Sequence, residues 1–256
     1  KLDHLVQHRN STILAVPFNS VKGNTSFSWR NLPQRYPSSK IRMISNAFFE
    51  GYHPYWGYFY NSRGKKIYPD WDDYINYFIV SKYLQGRAED LSSTLILEEM
   101  LNRNIYEAIW FRSQAELARR ELESASITNI SSLLDVSKVE HDQFFWTCNH
   151  PTRKIFDHMI LQIFRFLGVE IKSAHTLQSL SSYEFLSKTK IPTYSELYNN
   201  ITSNLKDVNY IFKGEAHSWE VVVDMHLDFL AKQEIDNIKY SLQYYVAARP
   251  ELISVL

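Results

Sequence analysis

Residues 144–154 read Phe-Phe-Trp-Thr-Cys-Asn-His-Pro-Thr-Arg-Lys, and the interpretation of the fold starts from this stretch. The segment from Gln143 to Thr147 is short and apolar, which is typical of a buried strand. Thr152 is a good N-cap, and apolar residues recur after it at helical spacing until Gly168. A strand that leads into an amphipathic helix at such a corner indicates an α/β protein.

Upstream of this corner the chain changes from strands to helices. Two strands are predicted, over residues 11–16 and 40–44, because both runs are rich in β-branched or alternating apolar residues. A helix is then predicted from the N-cap Asp70 to Gly86, followed by a second over residues 91–111.

More helices are predicted in the rest of the chain, including one opened by a capping box at Ser113 and others near residues 195–205 and 219–246. Only 7 glycines argue against an all-β fold with many tight turns. We therefore expect a helix-dominated α/β fold with a small, mainly parallel sheet covered by helices. Residues 1–170 would form the α/β core, and residues 171–256 a helical C-terminal lobe packed on it.

The bulk composition excludes several classes of function. Lys plus Arg equal Asp plus Glu at 28 each, so no net charge attracts nucleic acid or an anionic membrane. No apolar run approaches the roughly 18–20 residues that cross a bilayer. One cysteine excludes an internal disulfide framework and fits a reducing compartment. We expect a cytoplasmic protein with no transmembrane segment and no nucleic-acid partner.

The start of the helix after Thr152 is suited to an anion. The first turn of a helix has unpaired N–H groups and the positive end of the helix dipole. Arg153 and Lys154 add two charges there, and Thr152 adds a hydroxyl. The sequence therefore predicts a site for a phosphate or pyrophosphate.

His150 is the candidate general base at the same corner. Pro151 restricts the residue before it to an extended conformation, which would hold the imidazole in place. The alternative is structural: Asn149 and His150 would stabilise the corner through satisfied hydrogen bonds.

Residues 46–54 form a second candidate ligand loop, because they follow a predicted strand. Gly51 would let backbone approach a ligand closely, and Tyr52 and His53 offer a hydroxyl and an imidazole. The alternative is an aromatic plug beneath the loop.

Two further candidates are weaker. Asp70, Asp72 and Asp73 could act as general acids or bases or hold a metal. No His or Cys clusters with them, so we expect them to complement a helix N-terminus and predict no metal site. Cys148 lies two residues before His150 and would share its strand face. Its aromatic neighbours would raise the thiol pKa, so a packed core cysteine is expected.

Several segments together resemble the WcbI family of polysaccharide biosynthesis enzymes. They are the corner Phe-Trp-Thr-Cys-Asn-His-Pro-Thr with its apolar helix and Leu-Gly, the stretch Phe-Phe-Glu-Gly-Tyr-His-Pro within residues 44–54, and the helix between Trp71 and Gly86. Gly168-Val169 and the run Lys-Ile-Pro-Thr-Tyr at residues 190–194 agree with it. The resemblance extends from about Leu5 to Val222.

The resemblance implies a bacterial enzyme of capsule or surface polysaccharide assembly. Members of the family bind coenzyme A and are taken to be acetyltransferases that O-acetylate a sugar, so the implied partner is a sugar or polysaccharide precursor. It implies a site for coenzyme A or acetyl-CoA, with His150 as general base. The expected cofactor-binding residues are Asn46, Gly51, Tyr52, His53, Asn149, Thr152, Arg153 and Lys154.

One family motif has no match in this chain. Members usually begin with a strand that ends in Asn-Cys-Gln, whose cysteine is a candidate acyl-transfer residue, whereas residues 1–8 resemble the strand that follows it. We expect this segment to be missing upstream of Lys1 or absent from this member. Two alternative functions are a non-catalytic glycan- or nucleotide-binding protein of a polysaccharide cluster and a sulfotransferase-like transferase with a 3′-phosphate at the same helix start.

Overall fold

The computed structural model describes residues 12–17, 28–37, 40–134, 143–170, 186–200, 208–254 and 256. Contacts group these residues into two compact units, each built from three separated stretches of chain. Unit 1 draws on Lys1–Ala47, Gln114–Asp135 and Arg153–Tyr183. Unit 2 draws on Phe48–Ser113, Val136–Thr152 and Glu184–Leu256. The expected division of the chain near residue 170 stays a prediction.

Helices make up most of the regular structure in the described residues. The α-helices are α1 (Leu32–Arg35), α2 (Tyr77–Leu84), α3 (Thr94–Met100), α4 (Arg103–Glu123), α5 (Arg153–Phe166), α6 (Tyr194–Asn200), α7 (Trp219–Ala231) and α8 (Ile235–Ala247). Short 3-10 turns occur at Trp29–Asn31, Ala88–Ser92, Ser131–Leu133 and Pro250–Leu252. The helix-dominated α/β class expected from the sequence is confirmed.

The strands are short and pair two by two. They are β1 (Thr12–Ala15), β2 (Lys40–Met43), β3 (Trp56–Gly57), β4 (Phe59–Tyr60), β5 (Lys66–Ile67), β6 (Ile75–Asn76), β7 (Phe145–Thr147), β8 (His150–Pro151), β9 (Tyr210–Phe212) and β10 (Glu215–His217). β1 and β2 pair in parallel, with Thr12 opposite Lys40, which confirms both predicted strands. Ser11, the first residue of the first predicted strand, lies outside the described residues.

The described residues do not form the mainly parallel sheet that we expected from the sequence. The pairs β3–β6, β4–β5, β7–β8 and β9–β10 are all antiparallel. β4 and β5 are joined by a tight turn that contains Gly64, and β9 and β10 by one that contains Gly214. Both glycines have positive φ. Antiparallel neighbours need only such a turn, whereas parallel neighbours need a crossover of a dozen or more residues.

A buried carboxylate binds several separate segments of unit 1. Glu121, on α4, is 8% exposed and accepts hydrogen bonds from Ser45 Oγ at 2.5 Å, Ile130 N at 2.6 Å and Ser131 Oγ at 2.7 Å. Each buried donor left without a partner would cost about 1–3 kcal/mol. Glu121 thus fixes Ser45, directly before the candidate loop at residues 46–54.

The amphipathic helix α5 also belongs to unit 1. Its residues Ile155 and Met159 are buried, as the apolar spacing predicts. On the same helix, His158 Nε2 lies 2.9 Å from the carbonyl of Asn129, and Gln162 accepts the Asn129 N–H at 2.5 Å. The helix ends where expected, since Gly168 has φ of 69° and the Val169 N–H bonds back to the Phe164 carbonyl at 2.9 Å.

Several predicted helix boundaries in unit 2 are wrong. The helix expected from Asp70 begins after Asn76, whose Oδ1 accepts the N–H groups of Phe78 and Ile79 at 2.9 and 3.4 Å. It cannot begin earlier because Ile75 and Asn76 pair with β3. The aromatic run before it is therefore strand and loop.

The helix expected over residues 91–111 is interrupted at Asn102, which divides it into α3 and α4. The Asn102 side chain accepts the N–H groups of Asn104 and Ile105 at 3.1 and 3.3 Å and so starts a new helix. α4 then continues through Ser113 without the predicted capping box. Similarly, the helix expected over residues 219–246 is divided into α7 and α8.

Helix α2 occupies the core of unit 2 and contacts α7 and α8. The Tyr77 ring stacks on Tyr245 of α8 with centroids 3.8 Å apart. From α7, His226 Nε2 accepts the Asn76 N–H at 2.9 Å. These contacts place the end of α8 close to residues 54–60 of the same unit.

Candidate functional site

Residues 144–152 form a tight β-hairpin rather than a single strand. Cys148 and Asn149 occupy its turn, and Thr147 lies opposite His150. The expectation that Cys148 and His150 share one strand face is therefore wrong, because the chain reverses between them. The Thr152 N–H donates to the Phe144 carbonyl at 2.8 Å, which closes the hairpin directly before α5.

Asn149 holds two tyrosines in place. Its Nδ2 donates to Tyr58 Oη at 2.6 Å, and its Oδ1 accepts from Tyr74 Oη and from Thr147 Oγ1. The Tyr58 and Tyr74 rings stack with centroids 5.2 Å apart. Burial raises the pKa of Tyr58 to about 12, so its phenol stays protonated at neutral pH. This placement fits the structural alternative for Asn149.

His150 is half-buried and lies edge-on to Tyr74, with ring centroids 6.0 Å apart. Burial lowers its pKa, an effect that Asp72, Asp73 and the Thr189 carbonyl partly offset. The imidazole is therefore neutral at pH near 7. Its Nδ1 is enclosed and has no hydrogen-bond partner within the described ranges.

The loop after Ala47 runs beside this hairpin, so the structure brings together two segments that the sequence singled out. The Phe49 N–H donates to the Cys148 carbonyl at 2.7 Å. Tyr52 Oη accepts the Phe144 N–H at 3.4 Å, and His53 Nε2 lies 3.4 Å from the Phe145 carbonyl.

Within this loop, Gly51, Tyr52 and His53 are buried. A Cβ at Gly51 would lie 2.4 Å from the Phe49 ring and 2.9 Å from Trp110, so its missing side chain serves packing. Tyr52 and His53 are each 1% exposed, and burial lowers the His53 pKa to about 4. These positions match the alternative of an aromatic plug, while their contact with coenzyme A stays a prediction.

The predicted phosphate residues differ in exposure. Thr152 is buried, and its hydroxyl has no partner among the residues described, so the expected capping bond is not made. Arg153 Nε lies 3.2 Å from Asp157 Oδ2, Lys154 is exposed, and Asn46 is half-buried. Asn46, Arg153 and Lys154 belong to unit 1, and the other predicted site residues to unit 2.

Asp72 and Asp73, in the acidic segment before α2, bind other side chains of unit 2. Thr189 donates its hydroxyl hydrogen bond to Asp72, and Lys66 Nζ pairs with Asp73 at 3.1 Å. Among the described residues, no group of three or more His, Cys, Asp or Glu side chains is arranged to hold a metal. In the same part of the chain, no helix combines the length and apolar character needed to cross a membrane.

Unit 2 contains a cavity that the sequence does not reveal. It has a volume of about 290 Å³ and is called here the Cys148 cavity. Its lining is Phe48, Glu50, Trp56, Gly57, Tyr58, Tyr60, Cys148, Tyr244, Tyr245, Ala248 and Arg249. Burial, with the Glu50 charge, raises the Cys148 pKa to about 12, so the thiol is protonated at neutral pH. Cys148 is buried as expected, but it also borders this space.

A buried charge pair forms one wall of the cavity. Glu50 pairs with Arg249, and its other oxygen lies 3.1 Å from Arg112. The Arg249 guanidinium lies over the Tyr245 ring, 3.9 Å from its centroid. Sequence reasoning missed Arg249 and Tyr245 because they come from the end of α8, some 200 residues after Glu50, and no local pattern links the two.

The comparisons with known proteins agree on one family. A family model described as "Polysaccharide biosynthesis enzyme WcbI" matches residues 22–172, more than half of the chain. A solved structure of WcbI has a TM-score of 0.76 at 16% identity, covering 96% of this chain and 80% of that one. That protein is described as a polysaccharide biosynthesis enzyme in its native form without a disulfide bond between CoA and a cysteine. No curated protein matches. At this identity the structure shows a shared fold, and the family match shows membership: the chain belongs to the WcbI family of polysaccharide biosynthesis enzymes.

Proposed function

We propose that this protein binds coenzyme A and transfers the acetyl group of acetyl-CoA to a sugar hydroxyl during assembly of a bacterial capsular or surface polysaccharide. The observation that carries the proposal is membership of the WcbI family. The shared fold with a WcbI structure whose description names CoA supports the choice of cofactor.

The first turn of α5 fits the phosphates of this cofactor. It contains Arg153 and Lys154 and no acidic residue. Its N–H groups and the helix dipole add to the positive potential. Arg153 and Lys154 would therefore hold phosphate, with Asn46 as a further predicted contact. Bound acetyl-CoA supplies an activated acyl group.

His150 would act as the general base. Because burial lowers its pKa, the imidazole is neutral and able to accept a proton near pH 7. His150 would take the proton of the sugar hydroxyl as the new C–O bond forms. It would return that proton to the departing sulfur as the C–S bond breaks. Pro151 in β8 holds the backbone at this position extended.

Replacing His150 by glutamine is expected to slow acetyl transfer by about a hundredfold or more while CoA affinity changes little. In the unchanged protein the rate should fall as the pH drops through the lowered pKa of His150, because the protonated imidazole cannot accept a proton. Thiol release from acetyl-CoA measures the rate, and calorimetry measures affinity. His158→Gln on α5 is the control; full activity of His150→Gln would remove the assignment.

Replacing Lys154 by alanine is expected to weaken CoA binding by about three- to fivefold, as one exposed charge at a helix start contributes about 1 kcal/mol or less. The loss should shrink at high salt. Calorimetry at two ionic strengths checks this, with the exposed Lys239→Ala as the matched control. Equal CoA affinity in both variants would argue against a phosphate contact at Lys154.

A non-catalytic glycan-binding protein is the second candidate. The observation that favours it is the set of aromatic side chains in the lining of the Cys148 cavity, among them Trp56 and Tyr244, because aromatic side chains are suited to contact with sugar rings. Glycan binding without CoA binding in the same calorimetric experiment would select this candidate.

A further inference from the structure

The Cys148 cavity has the size of a small-ligand site. Its volume of about 290 Å³ lies near the lower end of the range of ligand pockets. A single sugar ring with its hydroxyl groups is of this size, whereas coenzyme A as a whole is several times larger.

The charges in the lining compensate each other. Glu50 and Arg249 are the charged residues of the lining, and they pair with one another. No surplus positive charge is left to select a phosphate. Arg249 Nε is buried without a hydrogen-bond partner among the residues that the structure describes. The Arg249 guanidinium as donor and the Glu50 carboxylate as acceptor are the charged groups that the lining offers to ligand hydroxyls.

The aromatic walls are held rigidly. Tyr58 is fixed by Asn149, and Tyr245 is fixed by its stack on Tyr77 and by its hydroxyl hydrogen bond to the Pro54 carbonyl. Neighbouring side chains cover the faces of both rings, so these walls are rigid but offer no free ring face. A sugar ring has apolar C–H faces and a rim of hydroxyls, which matches apolar walls that include a carboxylate and a guanidinium.

A row of three tyrosines, one exposed and two half-buried, begins in the lining of the cavity. Tyr244 lines the cavity, is 55% exposed, and lies 5.0 Å from the Tyr60 ring. One turn earlier on α8, the Tyr240 ring is nearly parallel to that of Tyr244, 6.3 Å away. Successive units of a glycan would find further ring faces along this row.

We infer that the Cys148 cavity binds one neutral sugar ring of the acceptor, with the next units along Tyr244 and Tyr240. The term acceptor rests on the proposed function, whereas the sugar specificity rests on the lining alone. Two residues of the 144–154 segment would therefore contribute to the sugar site. Cys148 lines the cavity, and Asn149 holds the lining residue Tyr58 in place. The pantetheine arm of coenzyme A is the competing occupant, which the experiment distinguishes.

Ala248 and Ala247 provide a matched pair of variants. Both are exposed at the end of α8, but Ala248 lines the cavity and Ala247 does not. Ala248→Trp should obstruct the cavity without disturbing the core, and Ala247→Trp adds the same side chain outside it. The probes are the methyl glycosides of mannose, glucose and galactose, observed by saturation-transfer NMR, and CoA observed by calorimetry.

The unchanged protein and Ala247→Trp should show saturation transfer to at least one glycoside, and Ala248→Trp should weaken its binding about tenfold or more. CoA affinity should be equal in all three proteins. The proposal is overturned if no glycoside binds, if Ala248→Trp binds glycosides normally, or if Ala248→Trp weakens CoA instead. Glycoside binding without CoA binding in the unchanged protein would refute the proposed function and leave the cavity assignment standing.

Discussion

Acidification from about pH 7 to about pH 4.5 should lower the free energy of unfolding by about 5 kcal/mol. His53 and His226 are fully buried, and burial lowers the pKa of each from 6.5 to about 4. The unfolded chain then binds protons that the folded chain does not. Stability is therefore complete above about pH 6.5 and is lost as the pH falls toward 4, by about 3 kcal/mol for each histidine.

The contacts of His226 show what protonation disrupts. Its Nδ1 donates to the Val222 carbonyl at 2.6 Å, and its Nε2 accepts the Asn76 N–H at 2.9 Å. A proton on Nε2 would face that N–H and break the bond that orients the N-cap of α2. His53 is 1% exposed and lies beside the Tyr52 ring, so a charge there is poorly solvated.

Urea unfolding at a series of pH values, followed by tryptophan fluorescence, measures this dependence. His226→Gln should unfold more easily at pH 7 and lose about half of the pH dependence. His217→Gln, at the end of β10, is the matched control. An unfolding free energy that stays constant between about pH 6.5 and 4.5 would contradict burial of the two histidines.

Replacing Glu50 by glutamine should destabilise the protein by about 3–5 kcal/mol, because removal of one partner leaves a buried charge uncompensated. Glu50 pairs with Arg249 and with Arg112, and the Glu50 and Arg249 side chains are nearly enclosed. Arg249 would keep its position over Tyr245 without its carboxylate partner.

A double-mutant cycle separates this effect from a loss of packing. Glu50→Gln combined with Arg249→Met should cost less than the two single changes added together, since no unpaired charge then faces the cavity. Glu107→Gln, which removes an exposed ion pair with Arg103, should change stability by about 0.5 kcal/mol or less. Additive single effects would show that Glu50 and Arg249 are not coupled.

Helix positions were predictable wherever a few neighbouring residues determine them. The apolar spacing before Gly168 predicts α5, and the residues of α7 and α8 likewise indicate helix. The start of α2 was not predictable, because the pairing of Ile75 and Asn76 with β3 depends on residues some 20 positions earlier. The turn at Cys148 and Asn149 was missed because the apolar run before it reads as one continuous strand.

The two segments of the candidate site could be predicted from the sequence, but the contacts between them could not. Residue types alone indicated residues 46–54 and 144–154 and His150 as a candidate base, whereas the cofactor follows from the family resemblance. Only the folded chain shows that the Phe49 N–H meets the Cys148 carbonyl, and that Trp110 covers Gly51.

By itself, the sequence determined the helix-rich α/β class, the strands β1 and β2, the end of α5 and the family. These properties depend on periodicity, caps and motifs within a few residues of one another. Tertiary structure alone decided that Tyr52 and His53 are buried, that Asn149 orients Tyr58, and that a cavity lies beside Cys148. The reason is physical: burial and cavity walls depend on distant partners, here Arg249 and the tyrosines of α8, which fold back from the far end of the chain.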